Sequence, residues 1–210
     1  MLISGQGLKR SMVRRGVFIC VEGLDGCGKT TQAKLLVRRL SRNYDAIYTA
    51  EPSKGTVGKF VKKKYLHSGK RGQVEVEALL FAADRLEHLK NEVLPALAEG
   101  KVVVSDRYVF SSFSYQGAAG VGLDWIEEVN KHALRPDLAV FLDVEPETVV
   151  RRLKRKKSVM ENLQTQVKVR EVYMKYVKNG RLVRIDGNKS KREAARDLTC
   201  LVKDWLQKVR

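Results

Sequence analysis

The stretch "VFICVEGLDGCGKTTQAKLL", Val17–Leu36, decides how the rest of the chain is read. It opens on an apolar run that fits a strand buried on both faces, expected over Val17–Glu22. A glycine-punctuated turn follows, and then an amphipathic pattern that predicts a helix over Lys29–Ser41. The order strand, glycine turn, helix matters physically. Glycines let backbone N–H groups converge on one point, and a helix beginning there adds its positive end. Such a turn is built to hold an anion.

The spacing says which anion. Gly23, four residues, Gly28, Lys29 and Thr30 make the P-loop pattern. Gly23, Leu24, Asp25, Gly26, Cys27 and Gly28 would wrap the phosphates. Lys29 would bring a full charge to the β- and γ-phosphates, with Thr30 and Thr31 at the helix start. The Thr30 hydroxyl suits Mg²⁺, a hard cation that takes oxygen ligands. The predicted ligand is a nucleoside triphosphate. Cys27 lies beside a helix N-terminus and a lysine, which points to a lowered thiol pKa.

Short apolar runs alternate with longer amphipathic ones through the chain. Strands are expected at Val17–Glu22, Ala46–Ala50, Val102–Asp106, Leu138–Val144 and Leu182–Asp186. Helices are expected at Lys29–Ser41, Thr56–His67, Val74–Ala98, Asp124–Leu134, Glu147–Lys156, Glu161–Lys178 and Lys191–Lys208. Pro146 suits a first helical turn and Gly100 a helix stop. This alternation predicts an α/β fold, a five-stranded parallel sheet with helices on both faces. One domain over 16–210 is expected, after a basic tail over 1–15 in which Met12 offers an alternative start.

Composition narrows the class. The chain has 210 residues, enough for one sizeable core, with 43% apolar and 31% charged residues. No apolar run is long enough to span a bilayer. The basic start lacks the apolar centre of an export signal. Three cysteines, Cys20, Cys27 and Cys200, lack metal-ligand spacing and suit free thiols in the cytosol. The net charge of +17 raises nucleic-acid binding as an alternative. Its lysines and arginines are scattered, however, and no aromatic residues alternate with them as a base-stacking platform requires. No dedicated nucleic-acid partner is expected.

Four more stretches join the P-loop: "AEPSKGTVGKF", "LLFAADRLEH", "VVVSDRYVFSSFSYQG" and "LDVEPETVVRRLKRKK". In order and approximate spacing they resemble the thymidylate kinase family over nearly all of the chain after Met12. The resemblance implies a P-loop kinase that uses ATP and Mg²⁺ to phosphorylate dTMP, is cytoplasmic and pairs as a homodimer. It implies roles for particular residues. Asp25 accepts from the dTMP 3′-hydroxyl. Phe81 stacks on thymine, and Arg85 reaches a thymine carbonyl. Arg107 clamps the dTMP phosphate, a planar bidentate task. Asp106 orders Mg²⁺ through water or orients Arg107. Ser111 and Ser112 lie near phosphate and thymine. Tyr115 disfavours a ribose, Gln116 lines the same pocket, and Glu51 and Pro52 shape the acceptor turn.

The resemblance also implies a mobile lid, placed here near 151–160. Some relatives carry an arginine within the P-loop, where this chain has Gly26. The catalytic cation is then expected from the lid, with Arg155 first, then Arg152 and Lys156. The sequence departs from the family at Ala50, where arginine is frequent and Lys54 is the nearby substitute. It departs again at Val159–Glu161, after a short lid. These departures keep another acceptor in view, dUMP first. They also keep open a catalytically weak relative that only binds nucleotide or nucleic acid.

Overall fold

The protein is described here by a computed structural model covering residues 15–66, 72–153 and 162–209. Strand β1 is Val17–Glu22, and all six residues are buried. It sits at the middle of a five-stranded sheet, with β2 (Ala46–Ala50), β3 (Val102–Asp106), β4 (Leu138–Asp143) and β5 (Val183–Asp186) in the order β2-β3-β1-β4-β5. Every pairing is parallel. The expected strands and their direction are observed to within one residue.

Alternation of side chains across the strands divides the core in two. On one face Ile19, Val21, Val104 and Val140 pack under α1 (Lys29–Leu40) and α9 (Lys191–Val209). Helix α9 delivers Ala195, Leu198, Val202 and Leu206, a spacing of three and four that puts them in one stripe. On the other face Phe18, Cys20, Val103 and Phe141 meet α5 (Val109–Gly117) and α8 (Leu163–Lys178). Phe113, Tyr173 and Tyr176 fill that layer.

The remaining helices are α2 (Thr56–Val61), α3 (Val74–His88), α4 (Leu94–Ala98), α6 (Leu123–Val129) and α7 (Pro146–Arg152). The long helix expected over Val74–Ala98 is interrupted by a wider, π-type turn at Leu89–Val93. Pro95 explains the break: it has no N–H for the carbonyl of Asn91, and its ring crowds that carbonyl. Helix α5 is not among the helices expected from the sequence. It is buried at Val109, Phe110, Ser112, Phe113, Ser114, Tyr115 and Gln116, nearly all the way round.

The topology places a crevice. The chain leaves β1 toward β2 and leaves β3 toward β4, in opposite directions across the sheet. Ligands in open α/β sheets sit where such connections diverge, beyond the carboxyl ends of the strands. The P-loop follows β1, and Arg107 follows β3, so both belong to this edge.

Truncating Leu198, 1% exposed on the inner face of α9, tests the packing of that helix. Leu198→Ala should lower the unfolding free energy by about 2–5 kcal/mol without changing the denaturant slope, measured by urea titration.

Candidate active site

The P-loop residues have the geometry that phosphate binding needs. Gly28 takes a φ of 95° immediately before α1, a left-handed conformation that glycine adopts freely. A Cβ built there meets nothing within 4 Å, so the loop opens into free space. Gly26 has a φ of 86°, with Val149 O 3.1 Å from a built Cβ. Backbone geometry therefore disfavours any side chain at this position. The Lys29 ammonium is buried, donates to Leu24 O at 3.2 Å, and lies 3.7 Å from Asp25 Oδ1. Thr31 faces solvent at the start of α1.

Cys27 departs from expectation. It is buried, and burial pushes its thiol pKa up; Lys29 lowers it only in part. Desolvation of a thiolate outweighs the nearby ammonium here, so the expected lowering of the Cys27 pKa is corrected to a rise.

Thr30 donates its hydroxyl to Asp106 Oδ2 at 2.5 Å, and the Tyr48 hydroxyl donates to the same oxygen at 3.2 Å. Asp106 Oδ1 is buried with no hydrogen-bond partner among the described residues. A threonine hydroxyl beside a carboxylate with an unsatisfied oxygen fits a hard divalent cation such as Mg²⁺. Among the described residues no group of three or more His, Cys, Asp or Glu could hold a metal. The donor set therefore suits an ion that completes its shell with water and substrate phosphate.

Arg107 joins the P-loop to the end of β3. Its Nη2 donates to Asp25 Oδ1 at 2.6 Å, and its Nη1 to Ser111 Oγ at 2.8 Å. The guanidinium also lies over the Tyr115 ring, 5.0 Å from the centroid, a cation–π arrangement. The Tyr115 hydroxyl accepts from Asp25 N at 3.0 Å. Arg107 holds a positive φ of 72°, uncommon for a side chain of this kind. The Ser105 hydroxyl donates to its carbonyl at 2.7 Å and its N–H donates to Val21 O at 3.0 Å. Burial by itself would raise the Asp25 pKa, but Arg107 and then Lys29 outweigh it and hold the carboxyl at about 2.

A second cluster lies on α3. Arg85, 1% exposed, donates from Nε to Glu51 Oε2 at 3.0 Å and from Nη2 to Ser112 Oγ at 3.1 Å. Its Nη1 donates to Asn130 Oδ1. Phe81, one turn earlier, is half-buried, which leaves part of the ring available for stacking. Pro52 follows Glu51 through a cis peptide bond. Gln116 is buried and donates to Glu77 Oε1 at 2.5 Å. The structure thus gathers Asp25, Lys29, Thr30, Asp106, Arg107, Ser111 and Tyr115 into one group, and Glu51, Arg85 and Ser112 into another. Arg152 is exposed at the end of α7. Arg155, Lys156 and Val159–Glu161 lie outside the described residues.

Sequence reasoning missed Glu22, Tyr173 and His88. Glu22 is fully buried and accepts from Tyr108 N at 2.8 Å, Ser111 Oγ at 2.6 Å and Tyr173 OH at 3.0 Å. His88 bridges Glu51 Oε1 at 3.2 Å and Thr49 Oγ1 at 2.6 Å. The one signal for Glu22 was a charged residue closing an otherwise apolar strand.

Comparison with known proteins agrees with this geometry. The thymidylate kinase family model matches residues 21–198. The chain belongs to the thymidylate kinase family. A probable thymidylate kinase of Pyrococcus abyssi is 42% identical over 201 residues, 91% of this chain and 98% of its own. Another, from Pyrococcus horikoshii, is 46% identical over 169 residues, 77% of this chain and 82% of its own. One from Pyrobaculum calidifontis is 38% identical over 196 residues, 92% of this chain and 100% of its own. The P-loop kinase fold and the family expected from the motifs are both observed.

The ion pair in this thymidylate kinase family member has a pH signature. Folding lowers the Asp25 pKa from 3.8 to about 2. The pair's contribution is therefore complete above the unfolded value and lost as pH falls through the folded one, about 2 kcal/mol in all. Between about pH 4 and about pH 2 the parent should lose roughly that much more unfolding free energy than Asp25→Asn, read from urea titrations at each pH.

Proposed function

We propose that this protein transfers the γ-phosphoryl group of ATP to dTMP, giving ADP and dTDP. The observation that carries the reading is the 2.6 Å contact between Asp25 of the P-loop and Arg107 at the end of β3. It puts phosphate-holding and acceptor-holding groups side by side, which is what transfer between two bound nucleotides requires. The family and the names of the relatives support the same acceptor.

Each group has a task in that reading. Lys29 and the loop amides hold the donor phosphates. Arg107 grips the acceptor phosphate and keeps its oxygen in line with the γ-phosphorus. Asp25 anchors the sugar 3′-hydroxyl and orients Arg107. Arg85, buried against Glu51, Ser112 and Asn130, reaches a thymine carbonyl by exchanging one of these partners, with Phe81 as the stacking face. Tyr115, held between Asp25 and Arg107, is the group that disfavours a 2′-hydroxyl in this reading. Thr30 and Asp106 would hold Mg²⁺, directly or through water, and the ion would neutralise charge spreading onto the transferring phosphoryl oxygens. The closing cation of this reading is Arg155, which lies outside the described residues, or Arg152 at the end of α7.

The reading includes a single kinase domain over 16–210, a cytoplasmic location and a homodimer. No helix among the described residues is long and apolar enough to cross a membrane, and Cys20, Cys27 and Cys200 are free thiols. For the dimer, α3 exposes Val76, Leu79 and Leu86, and α2 beside it exposes Phe60. The spacing in α3 makes one apolar stripe on the outer face, a surface suited to a second copy. Leu79→Glu should convert the dimer to a monomer at micromolar concentration, measured by sedimentation equilibrium.

ADP release with Mg-ATP should depend on dTMP and be much weaker with dUMP, dGMP, dCMP, AMP or no acceptor. Strong release with a different acceptor would overturn the substrate; acceptor-independent release would overturn the kinase reading. Lys29→Ala should lower turnover by about 1,000-fold or more, and Arg107→Ala should raise the dTMP KM by about 100-fold while lowering kcat, both from steady-state kinetics.

A further inference from the structure

Arg107 clamps nothing useful unless its guanidinium is held in register, and its own backbone sits in an uncommon conformation. The groups that hold it come from strand β1 and from helix α8, far apart in sequence. Glu22 Oε2 accepts from Ser111 Oγ at 2.6 Å and from Tyr173 OH at 3.0 Å. Ser111 Oγ in turn accepts from Arg107 Nη1 at 2.8 Å. A hydroxyl has one proton. With that proton committed to Glu22, the Ser111 lone pairs face Arg107. Tyr173 OH, 3.1 Å from Ser111 Oγ, closes the triangle. Its ring stacks on Phe141 of β4 with centroids 4.6 Å apart and planes at 17°, so the hydroxyl sits at the tip of an immobilised ring.

We propose that Glu22 and Tyr173 are positioning residues for the acceptor-phosphate clamp, acting on Arg107 through Ser111. The inference rests on the proposed dTMP kinase activity. It assigns α8 a part in acceptor recognition. Arg170, one turn before Tyr173, donates to Asp143 at 2.7 Å and fixes the same helix to the end of β4. Helix α8 is thereby a strut between the sheet edge and the clamp.

The test compares two ligands that differ only in the phosphate. Calorimetric binding of dTMP and of thymidine is measured for the parent, Tyr173→Phe and Glu22→Gln. Tyr173→Phe keeps the ring stack and removes the hydroxyl. It should weaken dTMP by about tenfold and leave thymidine within about twofold, because thymidine has no phosphate for Arg107 to grip. Glu22→Gln should show the same dTMP-selective loss. Equal weakening of both ligands would mean a general structural role and overturn the inference, as would no change. The cycle of Ser111→Ala with Tyr173→Phe checks the route: the effects on dTMP should be strongly non-additive, and simple addition would remove Ser111 as the relay. A parent that fails to bind dTMP removes the proposed activity; a parent that binds it while Tyr173→Phe matches the parent removes this inference alone.

Discussion

A buried carboxylate at the end of the central strand sets the arrangement of the site. Glu22 is withdrawn from water, and burial pushes its pKa up. An uncompensated charge there would cost several kcal/mol. Its oxygens are instead met by Tyr108 N, Ser111 N, Ser111 Oγ and Tyr173 OH. Meeting that requirement bends the chain after β3, starts α5 in place and draws α8 against it. The P-loop begins at the next residue, so one side chain fixes the relation between the two halves of the site.

The cluster proposed for the base is built on a different support. The second half of α3 sends four side chains into the segment after β2. Asp84 accepts from Ser53 N at 2.9 Å, and Glu87 accepts from Val57 N at 3.0 Å. Arg85 binds Glu51, and His88 binds Glu51 and Thr49. Asp84 is itself raised in pKa by burial, offset in part by Ser53. These contacts order a loop that would otherwise lack regular structure. Gly58 is part of the same fit: a Cβ built there would stand 2.4 Å from Ser53 O and 2.6 Å from Asp84 Oδ1.

The two supports explain why polar groups dominate an edge of the sheet whose interior is apolar. Two carboxylates at the carboxyl edge are paired with cations. Asp143, fully buried, is held by Arg170 and Arg184 at 2.7 Å each. Asp25 is held by Arg107 and approached by Lys29. Paired in this way, the charges are oriented before any nucleotide arrives, and pre-orientation is the largest part of what a phosphoryl-transfer site contributes.

Local sequence was enough for the sheet, the parallel topology and the P-loop, because each depends on neighbours in the chain. Five apolar runs of strand length separated by helical periods leave few alternatives, and the spacing from Gly23 to Thr30 states its own chemistry. Placement of Asp25, Arg85 and Arg107 followed from motif order. Helix α5, nine residues long and buried nearly all round, was not among the expected helices. The thiol of Cys27 was misjudged because proximity to Lys29 shows in the sequence and burial does not. The roles of Glu22, Tyr173 and His88 were decided only by the tertiary structure. Tyr173 OH meets Glu22 across 151 positions of the chain, and no local pattern encodes a contact of that length. The chain specifies by itself which elements form and which anion the turn can hold. Folding alone decides which distant side chains satisfy a buried charge, and through that requirement how Arg107 is aimed.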